Sequence, residues 1–326
     1  MKHVSILIPK GQYSIVNIGG TFQMLNWAND VYTQQARKPL FDVEFVGVSK
    51  PSKDTNGFYT VMPTRAIDQI ERTDLIIVPA VHEENAKAIE MNREAINWIK
   101  AQHNGGAEVA AFCIGVFLLA ETGLLNGRPC STHWGQAAEL QEMFPDVLVQ
   151  SEKIITECDG LYTSGGAYAF TNLAIYLIEK FGGRELAILT AKSFMIDLDK
   201  NDQSVFTIFS GQKHHDDQMI LKVQRTIEDK YKEALTVEYL ADLQATNRRT
   251  LERRFRASTG NSVIEYLQRV RVESAKKVLE RETGNVTEAM YSVGYNDPKA
   301  FREVFRKHVG ISPMDYRKKY SRAVLS

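Results

Sequence analysis

Two groups of side chains in this chain have the types and spacing to do chemistry. Five arginines fall within the twelve residues from Ala245 to Arg256. Guanidinium groups grip guanine edges in bidentate fashion and also pair with phosphates. The second group centres on Cys113, a thiol placed directly after the apolar run Glu108–Phe112. A thiol attacks only as the thiolate, so its surroundings decide whether it is a nucleophile or a packed side chain.

The elements that carry the arginines can be read from periodicity. Leu251 and Phe255 are four apart and share one helix face, leaving Arg249, Glu252, Arg253 and Arg256 on the other. Asn247 is a suitable N-cap, and Thr236 suits the same role for a short helix over 237–244. Two short helices, a tight turn and a basic second helix form the pattern of a helix-turn-helix. The pattern occurs twice. Leu251, Phe255, Arg256, Gly260, Ser262 and Tyr266 recur fifty residues later as Phe301, Phe305, Arg306, Gly310, Ser312 and Tyr316. Pairing Ala241 with Ala289, forty-eight residues on, predicts a second turn two residues longer than the first. Between the copies, 262–280 carries apolar residues at helical spacing and ends ahead of Gly284. About twenty residues at 1.5 Å each span roughly 30 Å, close to the ~34 Å repeat of DNA, so both second helices could reach successive major grooves.

Around Cys113 the signal is one of alternating strands and helices. Val4–Pro9, Phe41–Val48, Asp74–Pro79, Glu108–Phe112 and Leu161–Ser164 read as strands. Gly20–Gln35, a stretch ending at Ile99, Val116–Ala120 and Ala169–Glu179 read as helices. Such alternation implies an α/β layered fold of flavodoxin-like type, a mainly parallel sheet flanked by helices, with ligands at the carboxyl ends of the strands. The repeat region instead forms an all-α C-terminal domain with two helix-turn-helix motifs. Cys113 then sits on a strand-to-helix elbow, where the helix N-terminus is expected to lower its pKa and the small Gly115 to relieve crowding. A buried structural cysteine is the competing reading, as core packing is for His133 beside Trp134.

Composition agrees with two globular domains: 326 residues, 44% apolar and 25% charged. The net charge of zero conceals a partition. Residues 217–322 hold 22 Lys and Arg against 15 Asp and Glu, while the remainder holds 18 against 25. A basic back half suits nucleic acid and an acidic front half does not. Three cysteines without a C-x-x-C pair argue against a disulfide framework or a zinc cluster, and no run is long enough to span a bilayer. A soluble cytoplasmic protein is expected.

Residues 217–320 resemble the two-motif DNA-binding domain of the AraC family. The resemblance rests on Ala289–Tyr295, Asp297-Pro298-Lys299-Ala300-Phe301, Phe305-Arg306, Gly310, Ser312-Pro313 and Tyr316-Arg317. Residues 3–190 resemble PfpI-like domains, relatives of class I glutamine amidotransferases, through Ala111–Arg128, Thr132-His133-Trp134 and Ser164-Gly165-Gly166. The two together are similar to the GlxA-like regulators. The resemblance implies domains at 1–195 (effector sensing and dimerisation) and 217–322 (DNA binding), with 196–216 as linker. In the enzymes of the PfpI group an elbow cysteine works with a histidine and a glutamate. Cys113 matches the first and His133 loosely the second, while Gln23 falls at the glutamate position. Pro79-Ala80-Val81 replaces a glycine pair that supplies oxyanion amides, and Ile114 replaces a histidine. These departures imply a domain with no catalytic residue, Cys113 being vestigial, and no cofactor or metal.

The implied ligand site is lined by Gln23, Cys113, His133, Gly165 and Gly166 and takes a small-molecule effector. Carried over from the family, Arg249, Thr250, Glu252 and Arg253 of the first motif would meet bases, as would Pro298, Lys299, Arg302 and Glu303 of the second. Arg248, Arg254, Arg306 and Lys307 would meet phosphates or solvent. The implied partners are double-stranded DNA with two half-sites per protomer, a second copy of the chain and RNA polymerase, with no membrane. A cysteine-dependent amidase or hydrolase with an accessory DNA-binding tail is the alternative.

Overall fold

A computed structural model describes residues 1–36, 38–48, 61–198, 202–213, 215–281 and 283–321. The chain divides into two compact units, Met1–Gln203 and Ser204–Ser326.

The first unit opens with β1 (Lys2–Ile8), α1 (Ile15–Ala36), β2 (Phe41–Gly47), the short β3 (Arg65–Ala66) and β4 (Leu75–Val78). The helical stretch expected to end near Ile99 is two helices, α2 (Asn85–Met91) and α3 (Arg93–Asn104). Asn92 divides them: it is fully buried, and its side chain bonds both the N–H and the C=O of Lys10. Next come β5 (Glu108–Phe112) and α4 (Val116–Glu121), then β6 (Pro129–Cys130), α5 (Ala137–Met143) and β7 (Leu148–Val149). β8 (Ile155–Cys158), β9 (Leu161–Ser164), α6 (Ala169–Gly182) and α7 (Arg184–Ser193) complete the unit.

Seven strands form one sheet in the order β3-β2-β1-β4-β5-β9-β8, parallel throughout except for the β8–β9 hairpin. β4 and, after Glu108, β5 are apolar and buried on both faces, as strands of a covered parallel sheet must be. One face packs with α2 to α5 through residues such as Ile96, Phe117 and Leu140. The other packs with α1, α6 and α7 through Leu25, Phe170 and Ala187. The strands β3, β6, β7 and β8 were not legible in the sequence, because two to four residues are too few to show a period.

The second unit is helical: α8 (Gln218–Lys230), α9 (Val237–Leu243), α10 (Arg248–Thr259), α11 (Val263–Leu279), α12 (Val286–Ser292), α13 (Pro298–Val309) and α14 (Pro313–Tyr320). One core gathers α8, α9, α10 and the start of α11 around Leu251 and Phe255. A second gathers the end of α11 with α12, α13 and α14 around Phe301 and Phe305. Several described residues of the stretch read as a linker, 196–216, are packed. Ile196 and Leu198 pack on the sheet of the first unit, while Val205 and Phe209 join the two helical cores. No helix among the described residues is long and apolar enough to cross a membrane.

Candidate functional site

The elbow is built as expected. Cys113 has a left-handed backbone with φ 55°, a conformation that costs an L-residue roughly 1–2 kcal/mol. Gly115 is required on steric grounds, since a Cβ there would run into the Pro79 carbonyl oxygen and lie 2.8 Å from that of Val78. The thiol itself departs from expectation. Cys113 is 6% exposed, and burial pushes its pKa up to about 11 although the Ile114 amide hydrogen-bonds it. Desolvation outweighs the Ile114 amide bond and so favours the thiol over the thiolate at neutral pH.

Gln23 does not lie in this site. It is exposed on α1, which starts at Ile15, two turns upstream. The polar residue of α1 that meets the strand ends is Asn17, which is 2% exposed and accepts the Ala80 N–H at 3.1 Å. That bond occupies the amide at the place where the sequence lacks an oxyanion glycine pair. Asn17 presents an amide at this point, and an amide cannot serve as a general base.

Across the elbow, Thr132 Oγ1 donates to the Cys113 carbonyl at 3.0 Å. Its segment is fixed by hydroxyls: the Ser131 N–H donates to Thr163 Oγ1 at 2.7 Å, and Thr163 bonds Thr156 at 2.6 Å. His133 follows and caps a 3-10 turn by accepting the Gly135 N–H at Nδ1, 3.0 Å away. The proton of the neutral ring is therefore on Nε2, and burial lowers the pKa. Gly166 lies against this ring: a Cβ on it would be 3.3 Å from His133 Cδ2. Thr132, the neighbour of His133, thus bonds Cys113, and Gly166 lies against the His133 ring.

One member of the cluster was missed. Gln203 is 3% exposed, and its Oε1 accepts the Gly166 N–H at 3.0 Å. Its Nε2 faces the carbonyl oxygens of Thr132, Ser151 and Lys153 at 2.8, 2.8 and 3.2 Å. A Cβ on Gly165 would come within 2.5 Å of Gln203 Oε1, so a side chain there would displace this carboxamide. Nothing in the polar stretch around position 203 marks this glutamine, because its partners are main-chain groups far away in sequence. Ser164, fully buried beside Gly165, has a hydroxyl oxygen without a hydrogen-bond partner among the described residues.

In the helical unit both motifs are capped by design. Thr236, Asn247, Asn285 and Asp297 each accept main-chain N–H groups of the helix they precede. Gly260 and Gly310 end the second helices in the left-handed region. The fifty-residue repeat extends to side chains: Tyr266 donates to Glu228 and Tyr316 to Glu280, each at 2.7 Å. The turn is where the sequence pairing fails. The Thr246 N–H bonds the Ala241 carbonyl and the Tyr295 N–H bonds that of Met290, the same helix-ending bond in each copy. Ala241 therefore matches Met290, not Ala289, and the second turn is one residue longer, not two. Ala289 misled because it too is fully buried.

Arg249 and Arg253 are exposed on α10, and Thr250 is half-buried. Glu252 is half-buried and bonds Arg248, which also reaches Glu238 at 2.6 Å. On α13 Pro298, Lys299, Arg302 and Glu303 are all exposed, with Pro298 in the first turn where a missing N–H costs little. Arg254 is not on this face. It holds Asp217 with Nε and Nη2 at 2.9 and 2.7 Å.

Comparison with known proteins assigns both units. Residues 25–180 match the DJ-1/PfpI family, and residues 240–319 match a helix-turn-helix domain. The regulator GbdR of Pseudomonas aeruginosa is 27% identical over 259 residues, covering 74% of this chain and 70% of that protein. GlxA of Rhizobium meliloti, an HTH-type transcriptional regulator, is 22% identical over 218 residues, 66% of either chain. A putative AraC-like transcription regulator of Streptomyces lividans is 40% identical over 83 residues, 26% of this chain and 27% of that protein. Among solved structures, a putative transcriptional regulator from Vibrio parahaemolyticus aligns with TM-score 0.53 at 22% identity, over 60% of this chain and 98% of its own. That likeness concerns the fold.

Proposed function

From a chain that joins a DJ-1/PfpI domain to an AraC-type helix-turn-helix domain, we infer a cytoplasmic, sequence-specific transcription regulator controlled by a small-molecule effector. The observation that carries this reading is the repeated motif. Two capped helices, α10 and α13, each bury one apolar stripe and expose a charged face. Arg249 and Arg253 are the base readers of the first motif, and Lys299 and Arg302 act with Glu303 in the second. Arginine and lysine suit guanine, and a carboxylate suits cytosine. Arg248 holds Glu252 in place from within the same helix.

The first unit acts as a sensor and not as an enzyme. Its thiol is buried with its pKa pushed up to about 11, and the Ala80 amide is already bonded to Asn17. The effector lies above the elbow, among Cys113, His133, Gly165 and Gly166, at the carboxyl ends of the strands. The regulator works as a homodimer and contacts RNA polymerase at its promoters.

Selection of genomic fragments by the purified full chain tests the reading. One motif with two half-sites about a helical turn apart is expected. Arg253→Ala should relax discrimination at one base pair by about 1–3 kcal/mol. Equal, salt-sensitive binding to every sequence would reduce the helical unit to a non-specific anchor.

A further inference from the structure

The Gln203 side chain fills a slot whose wall is made of main-chain groups: one N–H, from Gly166, and three carbonyls, from Thr132, Ser151 and Lys153. The wall comes from three separate segments. Thr132 follows β6, Ser151 and Lys153 lie between β7 and β8, and Gly166 follows β9. All three meet at Gln203, and the Gly166 end lies against the His133 ring. A surface glutamine needs none of this. Four main-chain groups converge on one carboxamide that is 3% exposed, and Gly165 leaves out the Cβ that would close the slot.

The chemistry of the wall is selective. An oxygen acceptor is wanted at Gly166 and a nitrogen donor at the three carbonyls. A carboxylate cannot take both places, since one of its oxygens would face the carbonyl trio. A carboxamide offers two hydrogens to three acceptors and leaves one short, whereas a primary ammonium offers three. The slot therefore prefers a group at least as rich in N–H as the one it holds.

Resting on the sensor reading of this unit, we propose that the slot is the effector's recognition subsite. It takes a primary amide or ammonium nitrogen next to an oxygen acceptor, and Gln203 is the chain's own competitor for it. A side chain tethered beside its slot competes at an effective concentration in the millimolar range, so an effector must outbid it to bind. The competition has a consequence along the chain. Gln203 is the last residue of the first unit and Ser204 the first of the second. An effector that expels Gln203 removes its side-chain anchor and leaves the main-chain bond from the Gln203 N–H to the Glu152 carbonyl at 2.7 Å.

The test uses the full chain, deuterated and labelled with ¹⁵N-glycine, with the Gly166 amide signal assigned through Gly166→Ala. Propionamide is the probe and propionate the control. In Gln203→Ala, propionamide should shift the Gly166 signal and saturate at about one tenth of the concentration the wild type requires. Propionate should shift neither protein. Gln203→Asn, which keeps a carboxamide but shortens its reach by one methylene, serves in place of Gln203→Ala should that variant not fold. The proposal is overturned if Gly166 stays put in the variant, if variant and wild type saturate together, or if propionate binds as propionamide does. A chain that selects no DNA motif but passes this test would sink the regulator reading and leave the slot standing.

Discussion

Arg254 turns away from the face its helix neighbours expose and grips Asp217 through two nitrogens, at 2.9 and 2.7 Å. Asp217 at the same time caps α8, accepting the Met219 and Ile220 amides. The guanidinium, together with these amides, holds the Asp217 carboxyl below the usual carboxylate range. One aspartate thus ties the entry of the helical unit to the middle of α10. Asp217→Ala should destabilise this unit by about 1 kcal/mol for the lost cap, and further for the abandoned arginine. Thermal unfolding measures the loss. In operator binding Arg254→Gln should behave unlike Arg253→Ala, weakening all sites little and discriminating as before. An equal loss of discrimination would return Arg254 to the DNA face.

Ala245 and Gly294 occupy the same place in the two helix-turn-helix copies, both in the left-handed region, with φ 48° and 80°. Only the glycine is suited to it. Ala245→Gly should raise stability, by up to about 1 kcal/mol after the entropy a glycine adds to the unfolded chain. A fall in melting temperature would mean that the Ala245 methyl contributes packing that outweighs the strain.

Alkylation of Cys113 by iodoacetamide should be slow at neutral pH and rise with an inflection near the value of about 11 to which burial moves this thiol. The matched control is Cys113→Ser, which removes this site and leaves the others to react. An inflection below pH 8 would restore the cysteine-dependent hydrolase as the better reading of the first unit.

His308 is half-buried next to Arg269 and Lys307, with Gln268 in hydrogen-bond reach at 3.3 Å. Burial first, then those two cations, lower its pKa from 6.5 to about 4, with Glu265 opposing them. A depressed folded-state value means that the folded chain resists protonation more than the unfolded chain does. The stability this gives is complete above about pH 6.5 and is lost as pH falls toward 4. The helical unit should therefore melt at progressively lower temperature across that window, and His308→Gln should flatten the slope. An unchanged slope in the variant would assign the pH dependence to carboxylates.

The two halves of the chain differed in how far their sequence could be read. In the helical unit the chemistry is local. Caps, apolar stripes and glycine ends act within four residues, so Thr236, Asn247, Leu251, Phe255 and Gly260 announce α9 and α10 by themselves. The failure there was also local: Ala289 and Met290 are both buried, and only the bond from Tyr295 to Met290 settles the register. In the first unit β4 and β5 were visible as apolar runs, and the elbow as a strand followed at once by Cys113 and Gly115.

What the sequence determined by itself was the longer elements, the duplication of the motif and the elbow. Tertiary structure decided which side chains meet. It moved Gln23 out to solvent and put Asn17 in its place, because the start of α1 and not its middle abuts the strand ends. It raised the thiol pKa that a helix terminus alone would lower, since desolvation depends on everything packed around a group. It also brought Gln203 against Gly166, thirty-seven residues away, and against carbonyls fifty to seventy-one residues away. Main-chain groups are the same at every position, so no residue pattern could announce which of them a glutamine would find; only the folded path of the backbone brings them together.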